Sequence, residues 1–236
     1  MARTSPRGRL SLLESLQGVI ERTYDLQTGV SDIGRFVIGD EGYRRLYARL
    51  EASGGVLRKV GSAGCGARTL VRDDAEGGLA VCLYYPDHLI ASLERNDPTR
   101  RLDDDNVDAF ATLVEELDHL LVIAERYRSR GITSLMDLEL HANVSKYLVM
   151  KLFLTRMRGA RRLSEAQAAW IRWHLFDKGE FADPDPEVRS RYQDAARMAA
   201  RYVRVLDGLP PAEILPELRR FHRLTPQAKV AHIMAG

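Results

Sequence analysis

Cysteine is nearly absent from this chain: Cys65 and Cys82 are its two copies in 236 residues. Two thiols do not build a disulfide framework, and a reducing cytoplasm is the expected compartment. Long apolar runs are missing as well. None approaches the roughly 18–20 residues that span a bilayer, so a membrane protein is not expected. The basic start (Arg3, Arg7, Arg9) runs into a stretch interrupted by Glu14, which reads as an amphipathic helix start and not as a signal peptide. There is no internal repeat and no low-complexity tract, which excludes solenoids and arrays. Glycine (18) and proline (9) stay near average, so no long linker is implied. What is present is an ordinary globular balance, 45% apolar and 29% charged. The length allows one large domain or two small ones with a sizeable core.

The net charge of +2 hides an uneven distribution. Asp73 to Asp118 holds 13 acidic residues against 3 basic, a net of −10, and Lys151 to Gly236 holds 16 basic against 10 acidic, a net of +6. The acidic middle repels nucleic acid and attracts cations. The basic charges are spread over several helices as a solvated surface, so nucleic acid is not an expected partner.

Periodicity divides the chain. Leu10 to Tyr24 has helical spacing, Phe36-Val37-Ile38 reads as a short strand, and Glu41 to Ala52 as a helix stopped by Gly54-Gly55. Strands are expected at Arg68–Arg72 and Leu79–Tyr85, joined by the turn-rich Asp73–Gly78. Pro86 opens a short helix to about Asn96. Everything beyond is helical: Asp105 to about Arg128, Ser134 to about Arg158, a helix from the capping-box spacing Ser164–Gln167, Pro186 to Leu206, and two short helices, the last begun by Thr225-Pro226. The fold class is α+β, a small antiparallel sheet with a helix pair followed by an all-helical region. The domain boundary falls near Gly159, giving residues 1–158 and 159–236, with one continuous domain as the alternative.

The most informative stretch is Val114-Glu115-Glu116-Leu117-Asp118-His119. Glu115 and His119 are four apart on a helix, about 40° from each other around its axis. Two residues so placed can share a metal ion while an interposed glutamate activates water. The next helix offers Glu139 in a segment apolar on nearly every side, where a lone carboxylate must be neutral, paired or on a metal. With a turn at Gly131-Ile132-Thr133, His119 and Glu139 fall at comparable heights in a helical hairpin.

A strand pair, a long helix with HExxH-like spacing and a glutamate on the following helix resemble the zincin metallopeptidases, and within them the minimal gluzincins. The resemblance covers about Arg68 to Phe153. It implies Glu115, His119 and Glu139 as metal ligands, zinc as the metal and Glu116 as general base. It also implies a peptide substrate pairing along an antiparallel edge strand, Leu79–Tyr85. Glu115 stands where the motif has its first histidine. Two carboxylates and one imidazole acidify bound water less than a histidine-rich set, which brings Mn²⁺ and Fe²⁺ into range. Asp118, His141, Asn143, Lys146 and Tyr147 are the flanking candidates, Tyr147 and His141 being the nearest in sequence for stabilising an oxyanion.

Each feature has a plainer reading. Glu115 and His119 could form a solvated face opposite the stripe Phe110, Val114, Leu117, Leu121. Glu139 could pair with Lys146 or an arginine, and Asp137 with His141 is another i, i+4 pair. A di-iron reading of Glu116 and His119 lacks its second ExxH. His88, His174, His222 and His232 read as satisfied surface or core residues, Cys65 as a loop residue, Cys82 as core, and Gly61–Gly66 lacks the context of a phosphate loop. Trp170 and Trp173 read as packing. Two functions follow. One is a zincin-like, metal-dependent peptidase with a divergent Glu-Glu-x-x-His site, active or inactive. The other is a non-enzymatic helical adaptor or regulatory protein working through protein contacts.

Overall fold

In a computed structural model the structure describes residues 11–53, 56–60, 66–73, 78–131, 134–160, 162–178 and 185–235. The basic start, Leu10, Gly54-Gly55, Cys65 with most of the glycine-rich stretch around it, the centre of the Asp73–Gly78 turn, and Ile132-Thr133 lie outside them.

Helix α1 (Leu12–Tyr24) starts two residues into the expected range because Ser11 caps it. The Ser11 N–H donates to the Glu14 carboxylate at 2.7 Å and the Glu14 N–H donates back to Ser11 Oγ at 3.3 Å. A 3₁₀ turn at Ile33–Phe36 follows, held by Asp32 accepting from the Gly34 N–H. It takes Phe36 from the expected strand and leaves β1 as Val37–Ile38. Then come α2 (Asp40–Ser53), β2 (Arg58–Val60), β3 (Arg68–Asp73) and β4 (Leu79–Tyr84).

The four strands form one sheet in the order β1-β4-β3-β2. The β2–β3 and β3–β4 pairs are antiparallel, as expected, but β1 joins parallel to β4, with Val37 opposite Leu83 and Ile38 opposite Tyr84. The sheet is therefore mixed. This corrects a second expectation: β4 lies between β1 and β3, so Leu79–Tyr85 is not the edge strand that the zincin resemblance implies.

The helical remainder runs α3 (Asp87–Arg95), α4 (Val107–Ser129), α5 (Leu135–Met157), α6 (Glu165–Arg172), α7 (Pro186–Gly208), α8 (Pro211–Arg223) and α9 (Pro226–Ala235). A π-helical turn, Trp173–Asp177, extends α6. Trp170 donates from Nε1 to Asp104 at 2.9 Å. Trp173 packs edge-on against His174 while half of it stays exposed, with the Lys178 ammonium 5.7 Å from its ring centre.

Sheet strands β3 and β4, helix α1 and helix α5 all pack against α4. Consequently α4 is buried without interruption from Leu113 to Ile123, polar residues included. Helix α5 is enclosed in the same way between α4 and α7, with Asp137 through Tyr147 buried. The solvated face proposed for Glu115 and His119 does not exist. One hydrophobic cluster takes in Leu16, Leu83, Leu117, Met150, Tyr202, Phe221 and Ile233, so residues from both sides of position 159 share a core. A smaller cluster of Val60, Val71, Val122, Ile123 and Leu138 fills the space between sheet and helix pair. Among the described residues no helix is long and apolar enough to cross a membrane.

Candidate metal centre

The hairpin of α4 and α5 builds the site. Helix α4 ends on Arg130 in the left-handed conformation (φ 52°), and the Gly131 N–H donates to the Arg126 carbonyl at 2.8 Å. Helix α5 begins at Ser134, whose Oγ accepts from the Asp137 N–H at 3.1 Å. The short connection returns α5 along α4. Glu115 and His119, one turn apart on α4, then face Glu139 on α5. One donor atom from each lies within 4.8 Å of the others, and all three residues are buried. His119 Nε2 and Glu139 Oε2 are 3.7 Å apart. Two donors each about 2.0–2.2 Å from a shared ion can stand that far apart.

His119 is the most telling member. Its ring is fully buried, and among the described residues neither Nδ1 nor Nε2 has a hydrogen-bond partner. A buried polar group left without a partner is costly and uncommon. Burial also lowers the pKa of His119, which favours the neutral imidazole that metals bind. Glu139 is pushed the other way, up to about 8, first by burial and then by the charge of Glu115.

The surrounding residues divide sharply. Lys146 donates to Glu115 Oε2 at 2.5 Å, so it pairs across the hairpin and not with Glu139. Asn143 donates from Nδ2 to the backbone carbonyl of Glu139 at 2.9 Å. Glu116 is turned toward β3, where the Thr69 hydroxyl lies 2.8 Å from its Oε2 and 3.0 Å from its carbonyl oxygen. Burial, with the Glu115 charge second, raises its pKa well above the usual carboxylate range.

Asp118, His141 and Tyr147 do not face the three donors. His141 Nδ1 meets both Asp118 oxygens, at 2.8 and 3.0 Å, and Ser145 Oγ donates to Asp118 at 2.6 Å. His141 Nε2 continues to His222 Nδ1 at 3.1 Å, so His222 on α8 belongs to a buried polar chain. The pair Asp137 and His141 does not offer ligands together, because Asp137 accepts from the buried Lys229 at 2.6 Å. Tyr147 donates to Asp207 on α7. Two residues absent from the sequence reading complete the site from α7. Tyr192 hydrogen-bonds Glu139, and the Arg191 charge acts on the same carboxyl. They stand some fifty residues from Glu139 in a helix with no metal-like spacing, so nothing in the sequence pattern could have paired them.

Neither a protein family, nor a curated protein, nor a solved structure matches this chain. The resemblance to zincins therefore rests on the residues themselves. The three donors alone do not identify a zincin, and the inner position of β4 departs from the edge strand that the resemblance implies. The buried Glu115–His119–Glu139 group could hold a metal ion. Two carboxylates with one neutral imidazole suit a divalent cation, with hard ions favoured by the oxygens.

Proposed function

We propose that this protein binds one divalent metal ion through Glu115, His119 and Glu139 and uses it in zincin-like hydrolysis of a peptide substrate. One observation carries the reading: a fully buried imidazole, without a hydrogen bond among the described residues, beside two buried carboxylates. Zinc is the metal the resemblance implies, with Mn²⁺ and Fe²⁺ fitting the oxygen-rich set. When bound, the ion acidifies water and polarises a carbonyl. By that resemblance Glu116 is the general base; its carboxyl is held by the Thr69 hydroxyl at 2.8 Å. Lys146 is a cation bonded to the donor set, while Tyr147 and His141 are engaged by Asp207 and Asp118. The two-cysteine composition suits a cytoplasmic location.

Elemental mass spectrometry on untagged protein tests the first step. Wild type is expected to carry about one equivalent of Zn, Mn or Fe, and His119→Ala to lose it. Glu116→Gln is expected to keep the metal and lose hydrolysis of an unstructured protein substrate. The adaptor reading draws support from the Lys146–Glu115 pair, which already neutralises one donor. It requires wild type without metal, an unchanged melting temperature on adding Zn²⁺ or Mn²⁺, and sensitive positions on the C-terminal helices.

A further inference from the structure

The cluster contains more than its three donors. Glu115, Glu116 and Glu139 are three buried carboxyls in two facing helices, and the Lys146 ammonium is bonded to the first of them. The Lys146 ammonium sits 2.5 Å from Glu115 Oε2, with both side chains one-tenth exposed. Glu139 and His119 lie deeper, at 2% and 0%. Glu115 and Lys146 thus form the side of the cluster nearest solvent, and the lysine covers the one donor that reaches the rim.

We infer that Lys146 is a resident counter-ion of this site, competing with the metal ion for Glu115 and setting its affinity. The inference rests on the metal-binding reading above. Its physical basis is plain. A carboxylate oxygen held by an ammonium offers less electron density to a metal, and a positive charge a few ångströms away repels a dication. Lysine is suited to leave: its charge is compact and its four-carbon stem has several rotatable bonds. Lys146 lies on α5 seven residues after Glu139, so its stem starts from the helix that supplies the third donor and crosses to α4. Entry of the ion replaces one Lys146–Glu115 hydrogen bond by a metal–carboxylate bond, and the ammonium withdraws to water. No covalent step is involved. The same lysine keeps the charge of Glu115 balanced when no ion is present, which allows the apo-protein to fold around a site rich in carboxyls.

The test compares full-length wild type, Lys146→Met and Lys146→Arg by isothermal titration with Zn²⁺ and with Mn²⁺. Lys146→Met keeps the apolar stem and removes the charge. It is expected to bind at least ~10-fold more tightly, about 1.4 kcal/mol, at the same stoichiometry. Lys146→Arg is expected to remain within a few-fold of wild type. Equal or weaker binding by Lys146→Met, with wild type still binding one ion, overturns the counter-ion inference and leaves the metal site standing. No binding by any variant overturns both. Should Lys146→Met fail to fold, ¹⁵N-lysine NMR of wild type decides. The protected Lys146 ammonium signal is expected to vanish or shift on adding one equivalent of Zn²⁺, and an unchanged signal on a Zn²⁺-loaded protein overturns the inference.

Discussion

Thr69 holds its hydroxyl 2.8 Å from the buried Glu116 carboxyl. Thr69→Val keeps the shape and removes the hydroxyl, leaving Glu116 buried with one fewer partner. The expected loss is about 1–3 kcal/mol in urea unfolding, with Thr69→Ser retaining most of the stability. A loss within experimental error for Thr69→Val means that Glu116 is satisfied elsewhere. At this scale the sequence was legible where contacts are local. The i, i+4 spacing of Glu115 and His119 and the height of Glu139 across one turn were enough to bring three residues together. Lys146 is a candidate partner of Glu139 by sequence, but its long stem reaches Glu115 on the neighbouring helix. Tyr192 had no signal, since a tertiary contact between distant helices leaves no period in the chain.

Among the elements, the two long helices carry the site and their starts set its register. Ser134 caps α5 five residues before Glu139. Ser134→Ala is expected to cost about 1 kcal/mol by thermal or chemical unfolding, with Ser134→Asp close to wild type. An Ala variant as stable as wild type would show that packing against α4 and α7 alone fixes the helix. Helices were readable from caps and spacing, the Ser164–Gln167 box included. The sheet was harder. Strand β2 is three residues, two of them charged (Arg58 and Lys59), too short and too polar to show alternation. Strand β1 is two residues, yet its parallel pairing with Leu83 and Tyr84 turns an expected edge into an interior strand. A contact that short, across more than forty residues, has no local signature.

For the molecule as a whole, buried titratable groups oppose one another. Burial holds Glu139 at about 8 and Glu116 well above 4.5, so both bind more protons folded than unfolded and subtract stability as pH rises beyond 4.5. Burial pulls His222 down to about 2 and His119 below 6.5, so both subtract stability as pH falls beneath 6.5. The effects offset each other between 4.5 and 6.5. Metal-free protein is expected to melt highest in that interval and to lose stability from pH 6.5 to 8. Under the proposed metal binding, an added divalent ion is expected to displace the proton on Glu139 and move the optimum upward. Thermal melts from pH 4 to 9 with and without chelator check this; an optimum above pH 7 in chelator contradicts it. The shared cluster joining Leu16 to Ile233 makes a further prediction. Residues 1–158 alone lack Tyr202, Val203, Leu206 and Phe221 and are expected to be unfolded or molten by near-ultraviolet circular dichroism and ANS binding.

Both tryptophans of the chain sit at one corner, Trp170 on α6 and Trp173 at the start of the π-helical turn. Intrinsic emission is therefore a local reporter. Trp170 is tethered to Asp104 and Trp173 is half open to solvent, so the spectrum follows the docking of this corner onto the segment before α4 and says little of the hairpin at Glu115 and Glu139. An ion that binds without altering fluorescence has not been shown to miss its site. Conversely, an emission change at denaturant concentrations where the far-ultraviolet signal still holds identifies α6 as the first part of the molecule to detach.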